Sequence, residues 1–224
     1  MPMPAGLSDA VVIIYLHGFA SSARSTKATY FAERLRRHGL GFSCPDFNEP
    51  DFSTLTITRM LNQVAGEVEA ANEASVTLMG SSLGGALAVL AADRLGAKVE
   101  SVILLAPAVM FAKPGHHLLP PERIEEWRKR GALPFFHYGY NEERPLAYGF
   151  YEDSLSYDPM AASFAQPALI FQGLRDVSVD PRQVEQFASA RRNVTLSLLD
   201  DDHQLIESLP RIWTDVEAFL GLID

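Results

Sequence analysis

The chain of 224 residues has a single cysteine, Cys44, so it cannot form an internal disulfide, and the thiol count fits a reducing compartment. No apolar run approaches the roughly 18 residues that a membrane span requires. The stretch Met1 to Asp9 has no basic region, and the apolar run behind it ends at His17-Gly18, which excludes the pattern of a signal peptide. A cytoplasmic location is therefore expected. Positive charge is also scarce: 19 Lys and Arg stand against 28 Asp and Glu, a net charge of −9, which argues against nucleic acid or an anionic membrane as partner. The basic residues at 34–37 and 123–130 read as solvated helix faces. No Cys cluster, HExxH motif or phosphate loop with its lysine is present, and His116-His117 are chain neighbours that would not converge on one ion, so neither metal nor cofactor is expected. Internal repeats and low-complexity tracts are absent as well.

What the chain has is a regular alternation of short apolar runs and amphipathic segments, with 47% hydrophobic and 21% charged residues. Val11 to Leu16 is continuously apolar, as a strand covered on both faces must be. Further short strand-like runs follow at 40–44, 76–79, 102–105, 168–171 and 194–199. Helical spacing of apolar residues fills the gaps: Ala28, Phe31, Ala32 and Leu35; Leu55, Met60, Leu61, Val64 and Val68; Ile212, Val216, Phe219 and Leu220. Asp180-Pro181 opens another helix as N-cap and first residue. Six strands separated by helices predict one α/β domain over residues 1–224: an open, mostly parallel, doubly wound sheet with its site at the strands' C-terminal ends.

The stretch Met79-Gly80-Ser81-Ser82-Leu83-Gly84-Gly85 organises that prediction, because it joins a strand to a helix. In that setting Gly-x-Ser-x-Gly is a nucleophile elbow: the glycines permit a turn too sharp for side chains and leave Ser82 exposed at the start of the helix. A serine hydroxyl needs a base. Of six histidines, His203, in the loop after the last strand, has the position and the chain order that the architecture requires. Asp176, directly after the strand at 168–171, is the predicted partner of that base; Asp200, Asp201 and Asp202 rank behind it, being too close along the chain to fold back onto the ring. Two N–H donors are needed for an oxyanion, and Leu83, after the nucleophile, and Phe19, in the His17-Gly18-Phe19 turn, are the candidates.

His-Gly-Phe after the first strand, Gly80 to Gly85, Gly173-Leu174-Arg175-Asp176 and the final Asp201-Asp202-His203 together resemble the α/β-hydrolase superfamily over essentially the whole chain. The stretch 15–22, with Ser25-Thr26-Lys27-Ala28, further resembles the small bacterial serine esterases of the YqiA type. The resemblance implies an ester or thioester hydrolase of a small molecule with a Ser-Asp-His triad, no cofactor, and a compact sheet without the superfamily's first hairpin. Amide or C–C bond cleavage, acyl-CoA thioester hydrolysis and non-catalytic ligand binding are the alternatives on the same site.

The chain departs from that family in a segment at 111–157, where the α/β rhythm stops. It holds ten of the 22 aromatic residues, too many for a disordered loop. A cap or lid over the acyl pocket is expected there, with most of its aromatics packing it to the domain and the remainder lining an apolar cavity above Ser82. Trp127, Tyr138 and His137 are the candidate substrate contacts.

Overall fold

A computed structural model describes residues 11–222 apart from 73 and 114–118. Strands and helices alternate as β1 (Val11–Leu16), α1 (Thr26–Arg37), β2 (Gly41–Ser43), α2 (Ile57–Ala70), β3 (Ser75–Ser81), α3 (Leu83–Leu95) and β4 (Ser101–Leu105). After an interruption they resume as β7 (Ala168–Gly173), α6 (Pro181–Ser189), β8 (Val194–Leu199) and α7 (Leu209–Phe219). The sheet has six strands in the order β2-β1-β3-β4-β7-β8, with every neighbouring pair parallel. Parallel strands need a crossover between them, and the amphipathic helices supply it.

Both faces of the sheet are covered, which is why its strands are apolar at consecutive positions. In β1, Ile14 and Leu16 join a cluster with α2, α3 and α6 through Met60, Val64, Leu87 and Phe187. Ile13 and Tyr15 point the other way, into a cluster with α1 and α7 through Phe31, Leu35, Ile212 and Val216. Helix starts follow their cap chemistry. Ser25, Thr56 and Asp180 accept hydrogen bonds from the N–H groups of Ala28, Arg59 and Arg182, three or two residues on.

The interruption between β4 and β7 is folded. It contains α4 (Pro121–Arg130), an antiparallel hairpin of β5 (Ala132–His137) and β6 (Glu142–Ala147), and α5 (Gly149–Ser154). The basic run at 121–130 is the expected helix, with proline at its first position and Gly131 left-handed behind it. The hairpin was not legible, because Pro134 and Pro145 argue against strands; in the structure they face each other in a two-stranded ribbon whose outer edges need no partner. Trp127, Leu133 and Leu146 belong to the same apolar cluster as α2 and α3, so the segment is fused to the core on that face.

Candidate active site

The elbow stands where β3 becomes α3. Ser82 adopts φ 54°, ψ −117°, a conformation that side-chain-bearing residues rarely take and that costs on the order of 1–3 kcal/mol. Its surroundings hold it there: Ser82 N–H donates to Leu105 O at 2.9 Å, and Ser82 O accepts from Gly85 N–H and Ala108 N–H at 2.9 and 3.0 Å. The two glycines are required by contact. A Cβ on Gly80 would lie 2.2 Å from Gly84 O, and one on Gly84 would lie 1.9 Å from Leu16 O. Neither position can carry a side chain while strand and helix approach so closely.

Because all six strands are parallel, the loops after β1, β3, β7 and β8 open on one edge, and the structure brings their residues together. His203 Nε2 lies 3.1 Å from Ser82 Oγ, and His203 Nδ1 lies 2.7 Å from Asp176 Oδ2. The Asp176 side chain is fully buried, and that of His203 is 17% exposed. Asp176 is also saturated: Oδ1 accepts from the N–H groups of Ser178 and Val179 at 2.8 Å each, and Oδ2 from Gln172 Nε2 at 2.9 Å. Burial alone would push the Asp176 carboxyl up, but the hydrogen bonds from His203, Val179 and Gln172 outweigh it and hold the group below the ordinary carboxylate range. A carboxylate fixed in this way makes Nδ1 the protonated nitrogen and leaves Nε2 free to accept from the hydroxyl. Such an arrangement can activate a serine as a nucleophile.

The other acids of the 200–202 run are engaged elsewhere. Asp200 pairs with Arg175 at 2.7 Å, Asp201 accepts from the N–H groups of Asp202 and Ser208, and Asp202 accepts from Gln204 N–H. Gln172 is a site residue that sequence reasoning missed. Its signal was a polar residue inside the otherwise apolar strand β7, where burial demands a partner.

The turn after β1 abuts the elbow: a Cβ on Gly18 would lie 3.5 Å from Ser82 Cβ. Among the described residues, neither Phe19 N–H nor Leu83 N–H has a backbone or side-chain acceptor, and Leu83 is the first residue of α3, where the helix dipole favours negative charge. His17 is structural, as expected of that turn. It is buried, its Nε2 accepts from Phe47 N–H at 3.0 Å, and its Nδ1 lies 2.9 Å from Gly18 O.

Two of the three residues expected to touch substrate, Trp127 and His137, are buried against other partners, which corrects the sequence reading for them. Trp127 is buried, donates from Nε1 to Leu146 O at 2.8 Å, and packs on Phe135, Tyr148, Phe150 and Tyr151. It is the centre of the segment's own packing. His137 is wholly buried, with Nε2 donating to Asn48 Oδ1 at 2.8 Å and Nδ1 accepting from Tyr140 N–H at 3.2 Å. Tyr138 is 75% exposed and meets Phe136 edge-on. The rings of Phe52, Phe135 and Phe150 pack around that of Phe19, with centroids 5.8, 5.6 and 5.5 Å away. A cavity of about 270 Å³ lies between Asn48–Ser53 and Tyr140, Arg144 and Pro145, and Ser82 is not among the residues that line it. Among the described residues no three His, Cys, Asp or Glu gather as metal ligands would; His116 and His117 lie outside them. No helix among those residues is long and apolar enough to cross a membrane.

Known proteins agree with the architecture. The family described as "Uncharacterised protein family (UPF0227)" matches residues 12–220. No curated protein matches the chain with significant similarity. Among solved structures, Est1E from Butyrivibrio proteoclasticus with ferulic acid bound is 21% identical at a TM-score of 0.82, over 98% of this chain and 92% of that one. The alpha/beta hydrolase domain-containing protein 10 from mouse is 21% identical at a TM-score of 0.78, over 95% and 90% of the two chains. A monoacylglycerol lipase from Paleococcus ferrophilus is 15% identical at a TM-score of 0.71, over 91% and 92%. At these identities the likeness shows the fold alone, and the fold is that of the α/β hydrolases.

Proposed function

We infer the reaction from the site itself, since the chain belongs to the uncharacterised protein family UPF0227 and has the α/β-hydrolase fold, neither of which specifies chemistry. The reading is a serine hydrolase that cleaves a carboxylic ester or thioester of a small molecule. The observation that carries it is the continuous hydrogen-bond chain from Ser82 Oγ through His203 to Asp176. Ser82 attacks the acyl carbon, and its proton passes to His203 Nε2. Asp176 balances the imidazolium and keeps the ring in its tautomer. The N–H groups of Phe19 and Leu83 receive the oxyanion. His203 then protonates the leaving group, which departs, and in the second half it takes a proton from water, which releases the acid and restores Ser82.

The segment between β4 and β7 is proposed as the cap of the acyl site. Phe135 and Phe150 support this, since both are cap residues packed against the ring of Phe19. Aromatic walls suit compact or aromatic acyl groups rather than long alkyl chains. Ferulic acid, found in Est1E, is an aromatic acid, which supports the same class here. The test is labelling with a fluorophosphonate followed by esters and thioesters graded in acyl length and aromaticity. Wild type is expected to label once, at Ser82, and to turn over short and aromatic acyl groups best. Ser82→Ala is expected to lose both labelling and at least about 10⁴-fold in kcat. Turnover retained in Ser82→Ala, or a rate that climbs with chain length, rejects the corresponding half of the proposal.

A further inference from the structure

Lys27 is the second residue of α1, and it is buried, at 8% exposure. Lysines are seldom found so, because an ammonium taken out of water loses more than most contacts return. Its Nζ donates to the carbonyl of Gln204 at 2.9 Å. Gln204 follows His203 directly, so a buried cation on one helix ties down the loop that carries the base. Three carboxylates attract the same cation: Asp202 and Asp201 on that loop, and Asp176 after β7. Arg175 acts on Asp201 by its own charge from the β7 side.

We propose that Lys27 is a positioning residue for the base of the reaction: it fixes the Gln204 backbone beside His203 and supplies the positive charge that offsets Asp176, Asp201 and Asp202 around the imidazole. The assignment rests on the triad reading given above. A neutral amide would be enough to hold one carbonyl, at much smaller desolvation cost. A cation does something more. Without it, the negative charge of Asp176 and of the loop acids Asp201 and Asp202 goes uncompensated beside the base and disfavours the neutral ring that the reaction needs. Burial brings the Lys27 ammonium down to about 8 while the three carboxylates pull the other way, so it still carries charge at neutral pH.

The experiment compares wild type, Lys27→Met and Lys27→Gln, each checked for folding by circular dichroism, over a full pH profile. Lys27→Met keeps the apolar stem and removes both donor and charge. It is expected to lose on the order of 10-fold or more in kcat at pH 7, with KM little changed. The acid limb of its kcat/KM profile is expected at least about one pH unit higher, since a unit charge within about 12 Å shifts a titration by that much or more at an effective dielectric near 20. Lys27→Gln retains a donor without charge and is expected to show the same displaced limb. A residue that only packs the loop would lower kcat at every pH and leave the limb where it was. An unmoved limb in both variants therefore overturns the proposal, as does failure of both to fold, which would make the lysine a folding element. A Ser82→Ala enzyme that still turns over sinks the triad reading itself; an inactive Ser82→Ala beside an unaltered Lys27→Met sinks only the role of Lys27.

Discussion

Asp176 is the residue whose two oxygens do different work, and this makes its amide variant informative. In Asp176→Asn, the remaining oxygen satisfies the Ser178 and Val179 N–H groups, so the new NH₂ faces His203 Nδ1 and Gln172 Nε2. His203 must then accept at Nδ1 and carry its proton on Nε2, where it cannot receive another from Ser82. The protein is expected to fold while kcat falls on the order of 10⁴-fold. Asp201→Asn, whose carboxylate is engaged by Asp202 N–H and by Ser208, is expected to keep most of the activity. Steady-state kinetics on the two purified variants decides; the opposite ranking moves the orienting role to Asp201. At this scale the sequence was informative wherever chemistry restricts a position to one residue type after a strand, as at Ser82, Asp176 and His203. It was uninformative for Trp127, Tyr138 and His137. An aromatic or imidazole ring serves packing and binding equally well, and only the positions of Leu146 O and Asn48 Oδ1 show which is meant.

Elements were legible where one period dominates. The central strands of the sheet, β1, β3, β4 and β7, are covered on both faces and read as mostly apolar runs, and the helices read as stripes. The hairpin of β5 and β6 has neither signature, and its tip is held by single polar contacts. Asn48 Nδ2 donates to Ser21 O at 2.8 Å while Asn48 Oδ1 takes the His137 proton, so the loop after β1 and the hairpin share one buried amide. This clamp is sensitive to acid. Burial lowers the His137 ring from its ordinary 6.5, although Asp46 opposes the shift and Arg144 adds to it. A second proton would also sit against the Tyr140 N–H that Nδ1 now accepts. The sign follows: the unfolded chain takes up that proton first, so the clamp's stability is complete above about 6.5 and is lost as pH falls from there through the lowered value. Hydrogen exchange, corrected for its intrinsic pH dependence, is expected to quicken at residues 137–141 between pH 7 and 5 while β3 and β4 stay protected. Equal protection across that range would show that His137 does not gate the hairpin.

The whole molecule is a sheet with two covered faces, and the faces are unequal. One is closed by α1 and α7 alone; the other carries α2, α3 and α6 and also receives Trp127, Leu133 and Leu146 from the segment between β4 and β7. An inserted cap usually reads as an accessory that can open or melt by itself. In this chain the central side chain of the segment between β4 and β7 lies in the main apolar cluster, so that segment and the sheet should lose structure together. Trp127→Ala deletes a 4% exposed indole and its hydrogen bond to Leu146 O. Such deletions cost about 3–5 kcal/mol, and in a protein of this size each kcal/mol lowers Tm by about 2–4 °C, so a fall of about 6–20 °C is expected. The shape of the transition matters more than its position. After the substitution Trp213 is the one tryptophan left, and it packs on Phe31 and His38 at the opposite face of the sheet. If the molecule unfolds as one unit, Trp213 fluorescence, far-ultraviolet dichroism and the calorimetric peak shift downward together by the same amount. If the inserted segment is a separate unit, Trp213 keeps the wild-type midpoint and a second, lower transition appears in dichroism alone, and the fusion of that segment with the core is refuted.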